Sequence, residues 1–272
     1  MDPGKHLNLW IQLMLPAQLI CSHRKVNAEA RRLSPPHRIR PWWKLVIYLL
    51  IEFSPFIIAR NWIRRWRRNF PVVILTHHLI SDDYHHLNIS TSASFKLIRF
   101  LKRHYRIVSL REATELLKSG FVLEPTVVLT FDDGYEDNFL NLRAVAEQLD
   151  VPVSHFVSTE IVTKHQEFDH DLKQNIPGFL PLSWEQIRYW SREGAEFSSH
   201  TRSHFDCGGT VIEKLDEEIV QSKLDLENRL GLPVWAFAFP FGKPENMSLP
   251  AVELASKHYE CFVSYYGGVN FP

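Results

Sequence analysis

Two adjacent carboxylates, Asp132 and Asp133, are the residues of this sequence best placed to do chemistry. They follow the apolar, β-branched run 126–131, which predicts a buried strand, and Gly134 after them predicts a turn. Taken alone, such a pair is typical of a solvated turn, since turns favour aspartate and glycine. Neighbouring like charges nevertheless cost free energy unless a cation or separate roles justify them. A metal that is bound by one carboxylate, while the other serves as a base, would account for the pair.

The histidines His200 and His204 form a second group of metal-ligand type, directly after the predicted strand 195–198. Histidines with this spacing reach one metal from a single turn or compact loop, and imidazole suits zinc and similar ions. On its own the spacing is more typical of surface or core histidines. Together with Asp133, however, they would form a site with open positions for water and substrate, as in catalytic zinc centres.

Two more groups follow predicted strands. One is the aromatic turn 237–242, and the other is the histidine pair His77 and His78, immediately after the run 72–75. Each alone is consistent with an ordinary strand end. The carboxyl ends of the strands in a β/α barrel share one face, and that face carries the active site. The four groups are therefore expected to converge, which favours a catalytic site over a solvated turn.

The segments that must position these groups alternate between strand and helix patterns. Strand-like runs lie at 72–75, 106–109, 126–131, 153–157, 195–198, 234–239 and 259–264. Helical patterns lie at 94–103, 137–149, 183–192 and 212–230. The third of these helices opens at Ser183 with a capping-box sequence. Alternating strands and helices predict parallel strands, in an α/β sheet or barrel.

The amino-terminal part of the chain has a different character. Residues 1–41 have no sustained hydrophobic period, which predicts a poorly ordered extension. Residues 42–70 combine an apolar stretch with tryptophans and arginines, which predicts a helical segment on an anionic membrane surface. The alternative is a helix packed on the domain with its arginines in water. We therefore expect a membrane-associated or cell-envelope protein, with a cytoplasmic location as the alternative.

The composition sets limits on function. The chain has 272 residues, and its 31 Lys and Arg balance its 31 Asp and Glu. This length suits one large domain plus an extension, and zero net charge argues against a general nucleic-acid binder. The 3 cysteines show no CxxC spacing, so neither a zinc knuckle nor a disulfide framework is indicated. We expect a monomer.

Three segments together resemble the motifs of the polysaccharide deacetylases, the NodB-homology or carbohydrate esterase family 4 group. They are 130–135 (Thr-Phe-Asp-Asp-Gly-Tyr), 199–204 (Ser-His-Thr-Arg-Ser-His) and 237–242 (Phe-Ala-Phe-Pro-Phe-Gly). The resemblance covers residues 71–272, and the first two motifs are highly specific when found together. It implies a distorted (β/α) barrel of about seven strands. It also implies a hydrolase that removes N-acetyl groups from N-acetylglucosamine units of a polysaccharide.

The resemblance further implies roles for individual residues. Asp133, His200 and His204 would bind a divalent metal, with Zn2+ expected first and Ni2+, Co2+ or Fe2+ as alternatives. Asp132 would be the general base. Tyr135 and the aromatic turn would line the substrate groove, and the backbone N–H of Phe241 would be an oxyanion donor. The groove residues of the turn are Phe239, Pro240, Phe241 and Gly242.

The sequence departs from the family pattern in two places. Ala238 stands where many members have an arginine, a form that is similar to the branch acting on poly-N-acetylglucosamine. No histidine follows the last predicted strand, where many members have their catalytic acid. The barrel of that branch is circularly permuted, so the resemblance places the acid at His78, with His77 at a usual tyrosine position. The chain stops abruptly at 270–272, which is consistent with a missing short closing segment.

A rival cluster and two rival functions remain open. The cluster is rich in acidic residues and histidines, and we predict a solvated loop there instead of a metal site. Its members are His165, Asp169, His170 and Asp171. One rival function is a non-catalytic glycan-binding or scaffold barrel at a membrane, which Ala238 and the abrupt end favour. The other is a related barrel that hydrolyses a cyclic amide or ureide, and members of that subgroup often lack the full metal set.

Overall fold

One sheet of seven parallel strands organises the computed structural model, which describes residues 55–265 and 270–272. The strands of this sheet are β1 (Val72–His77), β4 (Arg106–Val108), β5 (Thr126–Phe131), β6 (Ser154–Val157), β7 (Glu196–Ser199), β8 (Ala236–Ala238) and β9 (Cys261–Val263). Between β1 and β4, the short strands β2 (Leu79–Ile80) and β3 (Asn88–Ile89) pair separately.

Helices connect most of the strands. They are α1 (Pro55–Arg67), α2 (Thr91–His104), α3 (Leu110–Ser119), α4 (Arg143–Leu149), α5 (Thr159–Lys164), α6 (Asp169–Lys173), α7 (Trp184–Arg192), α8 (Ile212–Leu230) and α9 (Leu249–His258). A π-helical turn, Asn138–Leu142, precedes α4, and a 3-10 turn, Pro244–Asn246, precedes α9. This alternation confirms the predicted α/β class.

β5 is the central strand, because it pairs with three others, and all of its residues are buried. It pairs with β1 along its whole length, from Val72↔Thr126 to His77↔Phe131. On its other edge it pairs first with β4 and then, at its carboxyl end, with β6. The order continues through β7, β8 and β9, so the strands curl into part of a barrel. Their carboxyl ends lie at one end of that barrel, as predicted.

Successive strand residues face two different cores, because side chains alternate between the faces of a strand. Leu129 and Val157 belong to a core that packs against the helices outside the barrel. Val128 and Phe156 belong to a second core inside the curl, together with residues of β8 and α3. Both faces of the sheet are therefore covered, which explains why the sequence of β5 is apolar throughout.

The predicted strands are all present, and β5 and α8 have their predicted bounds. The predicted capping box of α7 is also present: the Ser183 side chain accepts from the Gln186 N–H, and the Gln186 side chain accepts from the Ser183 N–H. Four helices, α3, α5, α6 and α9, were not predicted. Of these, α5 and α6 are too short to show a hydrophobic period.

The prediction of one continuous α-helix at 137–149 was wrong at its start, where a π-helical turn is found. There the buried Asn138 side chain accepts a hydrogen bond from the Ile80 N–H at 2.9 Å and donates one to the His78 carbonyl at 2.7 Å. These contacts with the segment after β1 accompany the local change of helical pitch, and π-turns occur often at functional sites.

The two ends of the described chain meet the barrel in different ways. α1 lies within the predicted helical segment 42–70, whereas the predicted extension 1–41 and residues 42–54 lie outside the described residues. No helix within residues 55–265 combines the length and the apolar character needed to cross a membrane. Near the other end, Asn270 pairs antiparallel with Val72 through backbone hydrogen bonds of 2.8 and 3.0 Å.

Candidate active site

The turn after β5 directs the Asp133 side chain into the protein, where it is 1% exposed. Asp133 has φ of 69° and Gly134 has φ of 90°, so both lie in the left-handed region that favours glycine. A Cβ atom at Gly134 would lie 2.7 Å from Cγ1 of Val157. Glycine is therefore required at position 134 both for its backbone angle and for the close approach of β6.

The loop after β7 brings two histidines to Asp133. Nε2 of His204 lies 3.1 Å from Oδ1 of Asp133, and Nε2 of His200 lies 3.6 Å from the same atom. Nδ1 of His200 donates a hydrogen bond to the Ala238 carbonyl at 2.9 Å, which leaves the Nε2 lone pair directed at the carboxylate. Thr201 has φ of 65°, an outlier for a β-branched residue, and such strain concentrates at functional sites.

This donor set fits a divalent metal ion. The ligand atoms of Asp133, His200 and His204 lie within 4.8 Å of one another. Both carboxylate oxygens of Asp133 are buried, and no described residue makes a hydrogen bond to either with good geometry. A buried carboxylate in that condition is costly unless a cation neutralises it. Two imidazoles and one carboxylate are also a donor set of catalytic zinc sites, which keep a further position open.

The titration behaviour of these ligands agrees with that fit. Burial alone would raise the pKa of Asp133, but the positive charge that the neighbouring histidines carry when protonated, that of His204 first, outweighs burial and holds that pKa below its usual range. Burial, followed by the neighbouring His204, lowers the pKa of His200 to about 3. The carboxylate is therefore ionised and the imidazole neutral, which are the forms that bind metals.

Asp132, the predicted base, differs from its neighbour. Its side chain is half-buried, and its buried Oδ1 has no hydrogen-bond partner among the described residues. Burial, and then the negative charge of Asp133, raise the pKa of Asp132 well above its ordinary value. A carboxylate with a raised pKa is a stronger base than an ordinary aspartate. The two adjacent aspartates thus have opposite shifts, which is typical of separate chemical roles.

The structure places His78, the predicted acid, beside this group. Burial lowers the pKa of His78, against the opposing charge of Asp133, and Asn138 holds its carbonyl. His77 points elsewhere: it stacks on Phe131 at 5.3 Å between ring centroids, and Nδ1 donates to the Leu75 carbonyl at 3.1 Å. The acid role of His78 stays a prediction.

The aromatic turn after β8 differs from the expected groove. Phe239, Pro240 and Gly242 are buried, whereas Phe241 is 49% exposed. The Phe241 ring meets the His204 ring edge to face, with 4.9 Å between centroids. No described residue accepts a hydrogen bond from the Phe241 N–H. Of the four expected groove residues in this turn, Phe241 is the one whose side chain is exposed and accessible to a substrate.

Tyr135 also differs from expectation, because its ring is fully buried. Its hydroxyl donates to Oδ2 of Asp171 at 2.7 Å and lies 2.9 Å from Nε2 of His170. That same Nε2 is 3.9 Å from Oδ2 of Asp133. The Tyr135 side chain therefore links α6 to the candidate metal-ligand group, which consists of Asp133, His200 and His204. Because its ring is buried, the structure does not support its predicted contact with substrate.

The prediction of a solvated loop at the rival cluster was wrong for two of its four residues. His165 and Asp169 are exposed, but Asp171 is 1% exposed and His170 packs on His204, with 5.0 Å between ring centroids. The buried neighbour Phe168 anchors α6 to the protein, which turns one side of this short helix inward. The pattern of polar residues in the sequence does not show which side of α6 is buried.

His85 was not singled out from the sequence, and it completes the group around Asp171. Its Nε2 lies 2.8 Å from Oδ1 of Asp171, and its Nδ1 accepts a hydrogen bond from the Leu87 N–H at 3.1 Å. The group His85, His86 and Asp171 has the spacing of a metal site. A neutral imidazole with an accepting Nδ1 carries its proton on Nε2, however, and cannot also bind a metal there. We therefore interpret this group as a hydrogen-bond network.

Glu218 of α8 is a second residue that the sequence did not reveal. It is fully buried, and its carboxylate accepts hydrogen bonds from the backbone N–H groups of Arg202 and Ser203 at 3.0 and 2.9 Å. The Ser203 hydroxyl adds a third at 2.7 Å. Glu218 therefore holds the loop between His200 and His204 in its strained conformation. The helical period of 212–230 predicts where Glu218 lies on the helix, but not that its carboxylate contacts this loop.

The fold and the site define an α/β barrel with a His-His-Asp donor set at the carboxyl ends of its strands. The family model described as polysaccharide deacetylase matches residues 122–258, just over half of the chain. The chain belongs to the polysaccharide deacetylase family.

Individual relatives agree with this assignment. The chain is 28% identical over 241 residues to the poly-beta-1,6-N-acetyl-D-glucosamine N-deacetylase of Escherichia coli (strain K12), covering 75% of this chain and 35% of that protein. It is 24% identical over 151 residues to YxkH of Bacillus subtilis (strain 168), covering 55% and 49%. The chain thus spans about half or less of these relatives. The structure of IcaB from Ammonifex degensii has a TM-score of 0.64 at 22% identity, covers 75% of this chain and 87% of that one, and supports the fold.

Proposed function

We propose that this protein is a metal-dependent hydrolase that removes N-acetyl groups from N-acetylglucosamine units of a polysaccharide. The observation that carries the proposal is the buried Asp133 carboxylate, which lies next to His200 and His204 and has no well-formed hydrogen bond from any described residue. The adjacent Asp132, with its raised pKa, supplies a base at the same place. The name of the Escherichia coli relative supports N-acetylglucosamine as the substrate unit.

The reaction requires a water molecule to attack the acetamide carbonyl carbon. A divalent ion held by Asp133, His200 and His204 would lower the pKa of that water and polarise the carbonyl oxygen. Asp132 accepts the proton that the water loses as its oxygen bonds to the carbonyl carbon. The Phe241 N–H, which is free of other hydrogen bonds to described residues, donates to the carbonyl oxygen as negative charge develops there.

The second half of the reaction breaks the C–N bond. His78 donates a proton to the leaving nitrogen, and because its pKa is lowered, its protonated form is a stronger acid than an ordinary imidazolium. The products are acetate and a glucosamine unit. The exposed ring of Phe241 offers an apolar surface on which a sugar ring of the polymer can stack.

The test combines metal analysis with acetate release from N-acetylglucosamine oligomers. We expect the protein to bind one divalent ion and to release acetate. Asp132→Asn should keep the metal but lose turnover by about 100-fold or more, whereas Asp133→Ala should lose both. Near wild-type turnover in Asp132→Asn would show that the base is misassigned. A metal-loaded protein that binds the oligomers without releasing acetate would instead support a non-catalytic glycan-binding protein.

A further inference from the structure

The helix α1 presents its apolar side to solvent. The stripe Ile58, Trp62 and Trp66, spaced four residues apart, is 59%, 69% and 74% exposed. Phe56 and Ile63 extend this stripe and are 74% and 42% exposed. Scattered exposed apolar residues are normal, but a continuous aromatic face marks an interaction site.

The opposite side of α1 faces the domain and is largely polar. Arg60, Asn61 and Arg64 are half-buried there, beside the buried Ile57. The Arg64 guanidinium lies over the ring of Phe271, with 5.4 Å to its centroid. An ordinary surface helix turns its apolar stripe to the core and its charges to water. α1 has the reverse orientation, so burial in its own domain does not explain the aromatic stripe.

Positive charge borders the apolar stripe. Arg65, Arg67 and Arg68 are exposed, and residues 55–68 contain no acidic residue. Guanidinium groups bind phosphate in a two-pronged geometry, and tryptophan is enriched where lipid headgroups meet the hydrocarbon. An apolar face edged by arginines is therefore complementary to an anionic lipid surface.

The surface continues onto the barrel. Phe121 and Leu123 are 54% and 55% exposed. The residue between them, Val122, bonds to the segment that joins α1 to β1: its N–H donates to the Arg68 carbonyl at 2.7 Å and its carbonyl accepts from the Phe70 N–H at 3.0 Å. The side chains of Phe121 and Leu123 therefore lie near the end of α1, at the end of the barrel where the strands begin.

The active site lies at the other end. α1 precedes the amino end of β1, whereas His78 follows its carboxyl end. A strand of this length spans about 20 Å. We propose that the outward face of α1, together with Phe121 and Leu123, binds the surface of an anionic lipid bilayer. The barrel then stands on this surface with its active site opening away from the lipid. This inference does not depend on the proposed deacetylation.

The binding test uses the full chain and sedimentation with phosphatidylcholine vesicles, with and without phosphatidylglycerol. We expect binding to the anionic vesicles that weakens with added salt. The double variant Trp62→Ser/Trp66→Ser should bind at least about tenfold more weakly, and Arg65→Gln/Arg67→Gln should lose the preference for anionic vesicles. Leu249→Ser is the matched control, because Leu249 is 71% exposed but begins α9 at the active-site end, and it should bind as the wild type does.

Several outcomes would overturn the proposal. Equal binding of the Trp62→Ser/Trp66→Ser variant would show that other residues hold the vesicle. A wild-type dimer that becomes a monomer in this variant would show that a second copy covers the face. Tryptophan fluorescence unchanged by brominated lipid would show that the face is covered by other parts of the chain.

The orientation is tested with a fluorescent label at Leu123→Cys or at Leu249→Cys, in a chain with Cys21 and Cys261 replaced by serine. Lipid-borne quenchers should reach the label at 123 and not the label at 249. The reverse result would show that the active site faces the bilayer.

Discussion

Nε2 of His85 lies 2.8 Å from Oδ1 of Asp171, and both side chains are buried. The other carboxylate oxygen of Asp171 accepts the Tyr135 hydroxyl. Both acceptor atoms of Asp171 are thus occupied by buried donors, and the lowered pKa of this carboxyl reflects them: burial opposes the shift, while the bonds from His85 and Tyr135 outweigh it. The pair ties the segment after β1 to α6, which carries His170 to the metal-ligand group.

Replacing Asp171 with asparagine should destabilise the protein. The amide presents a donor to either His85 or Tyr135, so one buried donor loses its acceptor, and we expect the free energy of unfolding to fall by about 2 kcal/mol. Urea denaturation measures this change. Asp169→Asn is the control, because Asp169 is exposed on the same helix, and its change should stay within about 0.5 kcal/mol. Equal stability of the two variants would contradict the structural role of the network.

Removing the Glu218 side chain should weaken metal binding without removing a metal ligand. Glu218→Ala leaves the Arg202 and Ser203 N–H groups without their acceptor and loosens the loop that carries the two histidines. We expect metal affinity to fall by about 10- to 100-fold, measured by competition with a chromophoric chelator. The neighbour Glu217 makes an exposed ion pair with Arg202, so Glu217→Ala should keep wild-type affinity. An unchanged affinity in Glu218→Ala would show that the loop holds its shape unaided.

Two glycine substitutions separate backbone strain from steric conflict. Gly120 and Gly134 both have positive φ, but a Cβ at Gly120 meets nothing within 4 Å, whereas one at Gly134 meets Val157 at 2.7 Å. Gly120→Ala should therefore cost about 1 kcal/mol of stability from strain alone. Gly134→Ala should cost about 2 kcal/mol more and displace Asp133, so metal content should fall as well. Calorimetry and metal analysis of both variants provide the check, and matching results would argue against a tight fit at Gly134.

His155 should make the protein sensitive to mild acid. Its ring is buried between Phe197 and Phe131, and neither nitrogen has a hydrogen-bond partner among the described residues. Burial lowers the pKa of His155 to about 3, whereas the unfolded chain titrates near about 6.5. As the pH falls below that value the unfolded state gains the proton first, so stability declines from pH 7 towards pH 3. Between pH 7 and pH 5 this residue should account for about 2 kcal/mol of the loss.

His155→Phe removes the titrating group and preserves the aromatic contacts. The difference in free energy of unfolding between pH 7 and pH 5 should therefore be about 2 kcal/mol smaller in the variant, measured by urea denaturation at each pH. A variant with the same pH dependence as the wild type would show that His155 is protonated in the folded protein.

The local sequence was sufficient for most of the barrel. Long apolar runs such as 126–131 show strands directly, and the residues after them predict the active-site face, because parallel strands bring their carboxyl ends together. The metal-ligand group of Asp133, His200 and His204 followed from the same reasoning. Short elements escaped prediction, since α5 and α6 owe their stability to tertiary packing and not to a local period.

By itself, the sequence determined the class of fold, the positions of its main strands along the chain and the side chains of the candidate metal-ligand group. The tertiary structure alone decided which other residues join that group. His85 and Asp171 are 86 residues apart in the chain, and no local pattern records their contact. It also decided that Phe241, and not Phe239, is exposed, and that α1 turns its aromatic stripe outward. The physical reason is the same each time: burial depends on which distant segments pack together, and periodicity describes only neighbours along the chain.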